Sequence, residues 1–113
     1  MNKEAIVFVK HILESIEQIE KYIKGKNKQQ FIEDKKLQDA IIRRIEIIGE
    51  AAKNIPTSFK DKYPEISWQQ IIGTRDKLIH HYFGVDLDLT FEILNKDLPK
   101  LKEQINEILK EEY

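Results

Sequence analysis

The sequence predicts an all-α protein, an antiparallel helical bundle of four principal helices plus a short helix, with residues 1–113 forming one domain. Three observations predict it. Apolar residues recur three and four apart through most of the chain, which is the period of a helix face and not the alternation of a strand. Gly25, Pro56, Pro64 and Gly84 fall where that period breaks. The breaks are short, and short connections favour helices that run up and down beside one another.

The first helix is expected from Lys3 to Lys24, where Ile6, Val9, Ile12, Leu13, Ile16, Ile19 and Ile23 form one stripe. His11 lies beside that stripe as a surface or boundary residue. "GKNKQQ" (Gly25 to Gln30) has no apolar residue and reads as a loop. Asp34 can accept the orphan donors of a second helix, whose stripe is Leu37, Ala40, Ile41, Arg44, Ile45, Ile48, Ala51, Ala52 and Ile55. Arg44 in such a series needs a carboxylate or carbonyl partner, for which Glu50 is one candidate. Gly49 gives up roughly 1 kcal/mol of helix propensity relative to alanine, which predicts close approach of another helix.

Pro56 to Pro64 reads as a short helical turn with Phe59 and Tyr63 on one side. Ser67 and Gln70 form a capping-box pattern for a helix starting at Trp68, with Trp68, Ile71, Ile72, Leu78 and Ile79 as its apolar surface. Gly73 is expected to bend this helix or admit a neighbour. Asp86 or Asp88 can cap the last helix, whose stripe is Leu87, Phe91, Leu94, Leu98, Leu101, Ile105 and Ile108. Pro99 removes one backbone bond from it and predicts a kink near Asn95.

Lys and Arg total 19 against 20 Asp and Glu, a formal charge of −1, so the average surface has no broad attraction for a polyanion. The local exception is Lys21 to Lys36, which holds six lysines against Glu33 and Asp34; it is a candidate basic surface but reads first as a solvated linker. The chain has no cysteine, which excludes a disulfide framework and any Cys-ligated metal centre. No segment approaches 18 apolar residues without charge, and no signal peptide is apparent, so a cytoplasmic protein with no membrane association is expected. A 113-residue chain has a modest core, and dimerisation would bury more surface.

Against this background "RDKLIHHYF" (Arg75 to Phe83) stands apart, because it gathers an arginine, an aspartate, a tyrosine and two of the three histidines. Arg75 stays protonated and can offer paired donors to phosphate oxygens. On a regular helix Arg75 and His80 differ by about 140° of rotation and about 7.5 Å of rise, so both can reach one bound phosphate without touching. Asp76 and His80, four apart, would share a face. The carboxylate would then fix the tautomer of an imidazole that acts as general acid or base. His81 either lines the same groove or caps the helix C-terminus. Tyr82 returns nearly beneath Arg75 if the helix persists, where its hydroxyl holds phosphate, orients His80 or simply packs. The set fits RNA cleavage without a metal or other cofactor. Adjacent histidines lack the His-x-x-x-His spacing of zinc sites, so metal binding is the weaker reading. A plainer account pairs Arg75 with an acidic residue and His80 with a backbone carbonyl.

Arg75, four residues, His80, one residue and Tyr82 match the Arg-x4-His-x-Tyr signature of the HepT-like toxins in the HEPN superfamily. "RRIEIIGEAAKNIP" (Arg43 to Pro56), "WQQIIGTRDKLIHHYFGVD" (Trp68 to Asp86) and "DLPKLKEQI" (Asp97 to Ile105) also resemble that family, so the likeness covers nearly the whole chain. The resemblance implies an all-helical HEPN-like homodimer whose two motifs meet across a cleft to form a metal-independent ribonuclease site. Arg75, Asp76, His80 and Tyr82 take the family's motif positions; many relatives have asparagine where this chain has Asp76. The resemblance further implies a toxin whose partner is an MntA-like minimal nucleotidyltransferase antitoxin that silences it by adding AMP to Tyr82. Two other functions stay open: a non-catalytic nucleotide- or RNA-binding regulatory module, and a structural partner of the nucleotidyltransferase.

Overall fold

The stripes read from the sequence close on one another around a single apolar core. In the computed structural model, which describes residues 3–80 and 84–112 but not the side chains of 79, 80 and 84, the chain runs through six helices. These are α1 Lys3–Ile23, α2 Lys28–Glu33, α3 Lys35–Asn54, α4 Thr57–Lys60, α5 Trp68–Leu78 and α6 Leu87–Glu112. A two-residue antiparallel ladder, β1 Ile79–His80 against β2 Gly84–Val85, links α5 to α6. The fold is the all-α bundle that the periodicity predicts, with α1, α3, α5 and α6 as its principal helices.

The core takes Val9, Ile12, Ile16 and Ile19 from α1, Ile41, Ile45 and Ile48 from α3, and Leu94, Ile105 and Ile108 from α6. Burying each such side chain contributes roughly 1.5–3 kcal/mol, so this apolar contact is the main force assembling the bundle. α3 lies between α1 and α5, while α1 also packs on α6. Phe59 of the short α4 packs on Tyr63 just after it, ring centroids 5.3 Å apart, and Trp68 donates from Nε1 to the Tyr63 carbonyl at 3.1 Å. No described helix is long and apolar enough to cross a membrane.

Several caps fall where expected. Asp34 accepts from Leu37 N at 3.0 Å. Asp86, not Asp88, opens α6 by accepting from Leu89 N at 3.0 Å, and Asp88 instead pairs with Lys28 at 2.8 Å.

Three expectations need correction. The loop expected over Gly25–Gln30 ends at Asn27, because Asn27 Oδ1 accepts from Gln30 N and Gln30 Oε1 accepts from Asn27 N, both at 2.8 Å. That reciprocal box starts α2, and the buried Phe31 seats it against Phe91, ring centroids 5.7 Å apart. Arg44 is half-exposed and not a buried cation. Finally, α5 stops at Leu78. The run that follows is rich in β-branched and aromatic residues, which favour extended backbone, and the Leu78 carbonyl is taken by Asp86 N at 2.7 Å in place of another helical turn.

Candidate active site

The site begins with a close crossing of α3 and α5. A Cβ on Gly49 would stand 3.3 Å from the Ile72 carbonyl oxygen and 3.5 Å from that of Ile71, so only glycine lets the α5 backbone lie this near without displacement. This is the packing role that its place inside the second stripe predicts. Gly73, by contrast, has nothing within 4 Å of a built Cβ and admits no neighbour among the described residues.

One turn from that contact on each helix, Glu46 and Arg75 meet. Glu46 precedes Gly49 by three residues while Arg75 follows Ile72 by three, as antiparallel helices require. Arg75 Nε donates to Glu46 Oε2 at 2.7 Å, and Arg75 Nη1 donates to Asp76 Oδ1 at 3.2 Å. These bonds, the one to Glu46 foremost, raise the pKa of the guanidinium above its already high ordinary value, so Arg75 is a permanent cation. Its side chain remains 48% exposed. A guanidinium has five N–H donors, and these two bonds leave most of them for a ligand.

Arg75 and Asp76 line a groove of about 630 Å³ between α1, α3 and α5, together with Phe8, His11, Arg43 and Lys53. His11 stands edge-on to Phe8, ring centroids 6.2 Å apart. None of the lysines between Lys21 and Lys36 lines this groove; its cations are Arg43, Lys53 and Arg75.

His80 enters the ladder after α5, its Cα paired with that of Gly84. Its side chain, like His81 and Tyr82 altogether, lies outside the described residues. The helical argument for His80 does not carry over, however, because α5 ends at Leu78 and His80 lies in β1, so Asp76 and His80 are not one turn apart on a continuous helix. Asp76 lies against Arg75 instead, so half of the plainer account, an arginine paired with acidic residues, is present in the fold. Among the described residues, no group of three or more His, Asp or Glu side chains gathers to hold a metal ion.

Glu46 is the site residue that sequence reading misses. It lies 29 residues from Arg75, beyond any helical spacing rule. The signal for it was indirect: a packing glycine marks a crossing, and a charged residue one turn from that glycine sits at the crossing.

A family model described as "Ribonuclease HepT-like" matches residues 12–108. The chain is 55% identical over 111 residues to a Methanocaldococcus jannaschii protein named "Gamma-glutamylcyclotransferase and putative RNase", covering 98% of this chain and 50% of that protein. It therefore spans about half the length of that relative. It is 45% identical over 103 residues to the "Probable ribonuclease HepT" of Thermococcus cleftensis, with 91% of this chain and 94% of that one covered. A "Putative RNase" of Caldanaerobacter subterraneus subsp. tengcongensis is 42% identical over 105 residues, covering 93% and 94%. No solved structure matches.

Proposed function

This chain belongs to the ribonuclease HepT-like family, and from that premise we propose that it is a toxin endoribonuclease that cleaves RNA without a metal. The observation that carries the reading is Arg75: a permanent cation, half exposed at a groove, with N–H donors beyond those its carboxylate partners take. The reaction is an internal transfer. The His80 imidazole takes the proton of a 2'-hydroxyl, the 2'-oxygen attacks phosphorus, and the bond to the 5'-oxygen breaks as that oxygen gains a proton from a second group. In a homodimer the second group is His80 of the other copy. Arg75 neutralises the charge that develops on the non-bridging oxygens of the five-coordinate phosphorus, and the products are a 2',3'-cyclic phosphate and a 5'-hydroxyl. DNA lacks the attacking hydroxyl and is not a substrate.

Regulation follows from the same place. An MntA-like nucleotidyltransferase antitoxin adds AMP to Tyr82, two residues from His80, and so places bulk and negative charge where RNA phosphate binds. His81 serves as a phosphate-binding or supporting group. Co-expression with such a transferase should give a mass increase of whole AMP units on Tyr82, and none on Tyr82→Phe.

The direct test compares the purified chain with His80→Ala on single-stranded RNA in EDTA. Cleavage by the first and not by the second is expected; equal, absent cleavage across varied RNAs would refute catalysis. RNA binding that persists unchanged in His80→Ala with no cleavage by either would favour the binding-only module.

A further inference from the structure

Arg75 carries two carboxylates of different character. Glu46, on another helix, is 33% exposed and bonds Nε at 2.7 Å, inside the range of strong charge-assisted contacts. Asp76, its neighbour in sequence, is 84% exposed and bonds Nη1 at 3.2 Å, the outer limit of a good N–H···O bond. The Glu46 contact is also built into the fold, since Gly49 sets the distance between α3 and α5 one turn away. The Asp76 contact is not: a side chain so exposed can swing into water at little cost.

We propose that Glu46 is the positioning residue for Arg75, holding the guanidinium by Nε so that its Nη end is presented to an RNA phosphate, and that Asp76 is the partner this phosphate displaces. The proposal rests on the reading that Arg75 receives the phosphate. A flexible arginine loses rotamer freedom when it grips a ligand. One already fixed at Nε has lost much of that freedom before RNA arrives, and the fixed fork is aimed for two parallel bonds. Asp76 meanwhile covers the Nη end while the site is empty, which lowers affinity for phosphates that bring no other contacts.

The experiment uses the full chain and its variants Glu46→Ala, Glu46→Gln, Asp76→Asn and Arg75→Ala. Each is assayed for cleavage of single-stranded RNA in EDTA, for binding of the same RNA fully 2'-O-methylated, which has no attacking hydroxyl, and for Tm. Glu46→Ala should lower kcat by about 10–100-fold through misplacement of Arg75. Its affinity for the methylated RNA should change much less than kcat, because the loss of a negative charge offsets the freedom that Arg75 regains. Glu46→Gln, whose amide oxygen still accepts from Nε, should restore kcat to within a few-fold of the parent. Asp76→Asn should bind the methylated RNA more tightly. A second readout is independent of turnover: the Arg75 Nε–H resonance should exchange slowly with water in the parent and in Glu46→Gln, and rapidly in Glu46→Ala.

Loss of cleavage in Arg75→Ala with parental kcat in Glu46→Ala would overturn this proposal alone. So would Glu46→Gln as impaired as Glu46→Ala while equally stable, or a Glu46→Ala defect lying wholly in KM. If Arg75→Ala matches the parent in both cleavage and binding, the reading of Arg75 as the phosphate receptor fails, and this proposal falls with it.

Discussion

Two of the places where a hydrogen bond to a carboxylate joins distant parts of the chain leave their donors in opposite states. At the Tyr63 corner, the hydroxyl donates to Glu112 at the end of α6 at 2.5 Å, and Lys62 reaches the same carboxylate at 2.9 Å. Tyr63 is buried, its one hydroxyl proton is committed, and the contact ties down the last turn of α6. At the α3–α5 crossing, Arg75 meets Glu46 with similar geometry but stays half exposed and keeps N–H groups beyond those bonded to Glu46 and Asp76. Folding requires buried polar atoms to be satisfied, and among the described residues no buried side-chain nitrogen or oxygen is left without a partner. A surplus of donors on an oriented cation is not a folding requirement. That difference separates a lock from a site.

The comparison predicts a double dissociation, and the largest effect belongs to the site. Arg75→Ala should lower RNA cleavage by about 10²–10³, the usual loss on removing a group that stabilises transition-state charge, while moving Tm only slightly. Tyr63→Phe should do the reverse: cleavage unchanged, and stability in urea lower by roughly 1.5–3 kcal/mol, the range for a hydrogen bond to a charged group. If both variants lose stability and neither changes cleavage, the distinction between lock and site is wrong.

pH sharpens the same contrast. Burial first, and then the bond to Glu112 and the negative charge of the neighbouring Glu111, push the Tyr63 hydroxyl well above its ordinary pKa. The folded state therefore holds this proton more tightly than the unfolded state does. Its contribution to stability is complete below the ordinary tyrosine value of about 10 and is lost as pH climbs beyond it. Urea midpoints at pH 8 and pH 11 should fall further apart for the parent than for Tyr63→Phe.

Gly49→Ala is expected to have a smaller effect. The gain of up to about 1 kcal/mol in helix propensity is opposed by contact with the Ile72 carbonyl, which has to give by a few tenths of an ångström, so net stability changes little. Because the displaced helix carries Arg75, cleavage should drop several-fold, more than stability does. Gly73→Ala is the control on the same helix. With open space around its Cβ, it should raise stability by about 0.5–1 kcal/mol. A Gly49→Ala variant that behaves like Gly73→Ala would show that the crossing does not position Arg75.

Much of this was legible in the sequence, because the isoleucine stripes of α1 and α3 and the leucine stripe of α6 report their own periodicity. Asp34 as a cap, Gly49 as a packing residue and the Phe59/Tyr63 turn were legible for the same reason: each is a local rule applied to neighbours in the chain. What escaped was decided elsewhere. Asn27 and Gln30 form a capping box in a stretch whose polarity resembles a loop, and only Phe31 and its contact with Phe91 show that a helix is anchored there. The end of α5 escaped because "LIHHYF" fits helix or strand, and the Asp86 amide that takes the Leu78 carbonyl comes from just past β2. Of the candidate site, the motif identified Arg75 and placed it on α5, but its partner Glu46 is set by tertiary packing and has no signature of its own.

The central claim is that a 2'-hydroxyl attacks the phosphorus beside it while protein groups move the protons, and the chemical ends left on cut RNA record that event. Cleavage by the purified chain in EDTA, followed by mass spectrometry of the fragments, should give 2',3'-cyclic phosphates and 5'-hydroxyls. Fragments ending in 3'-hydroxyls and 5'-phosphates would mean that water, not the sugar, attacked, and would contradict the account.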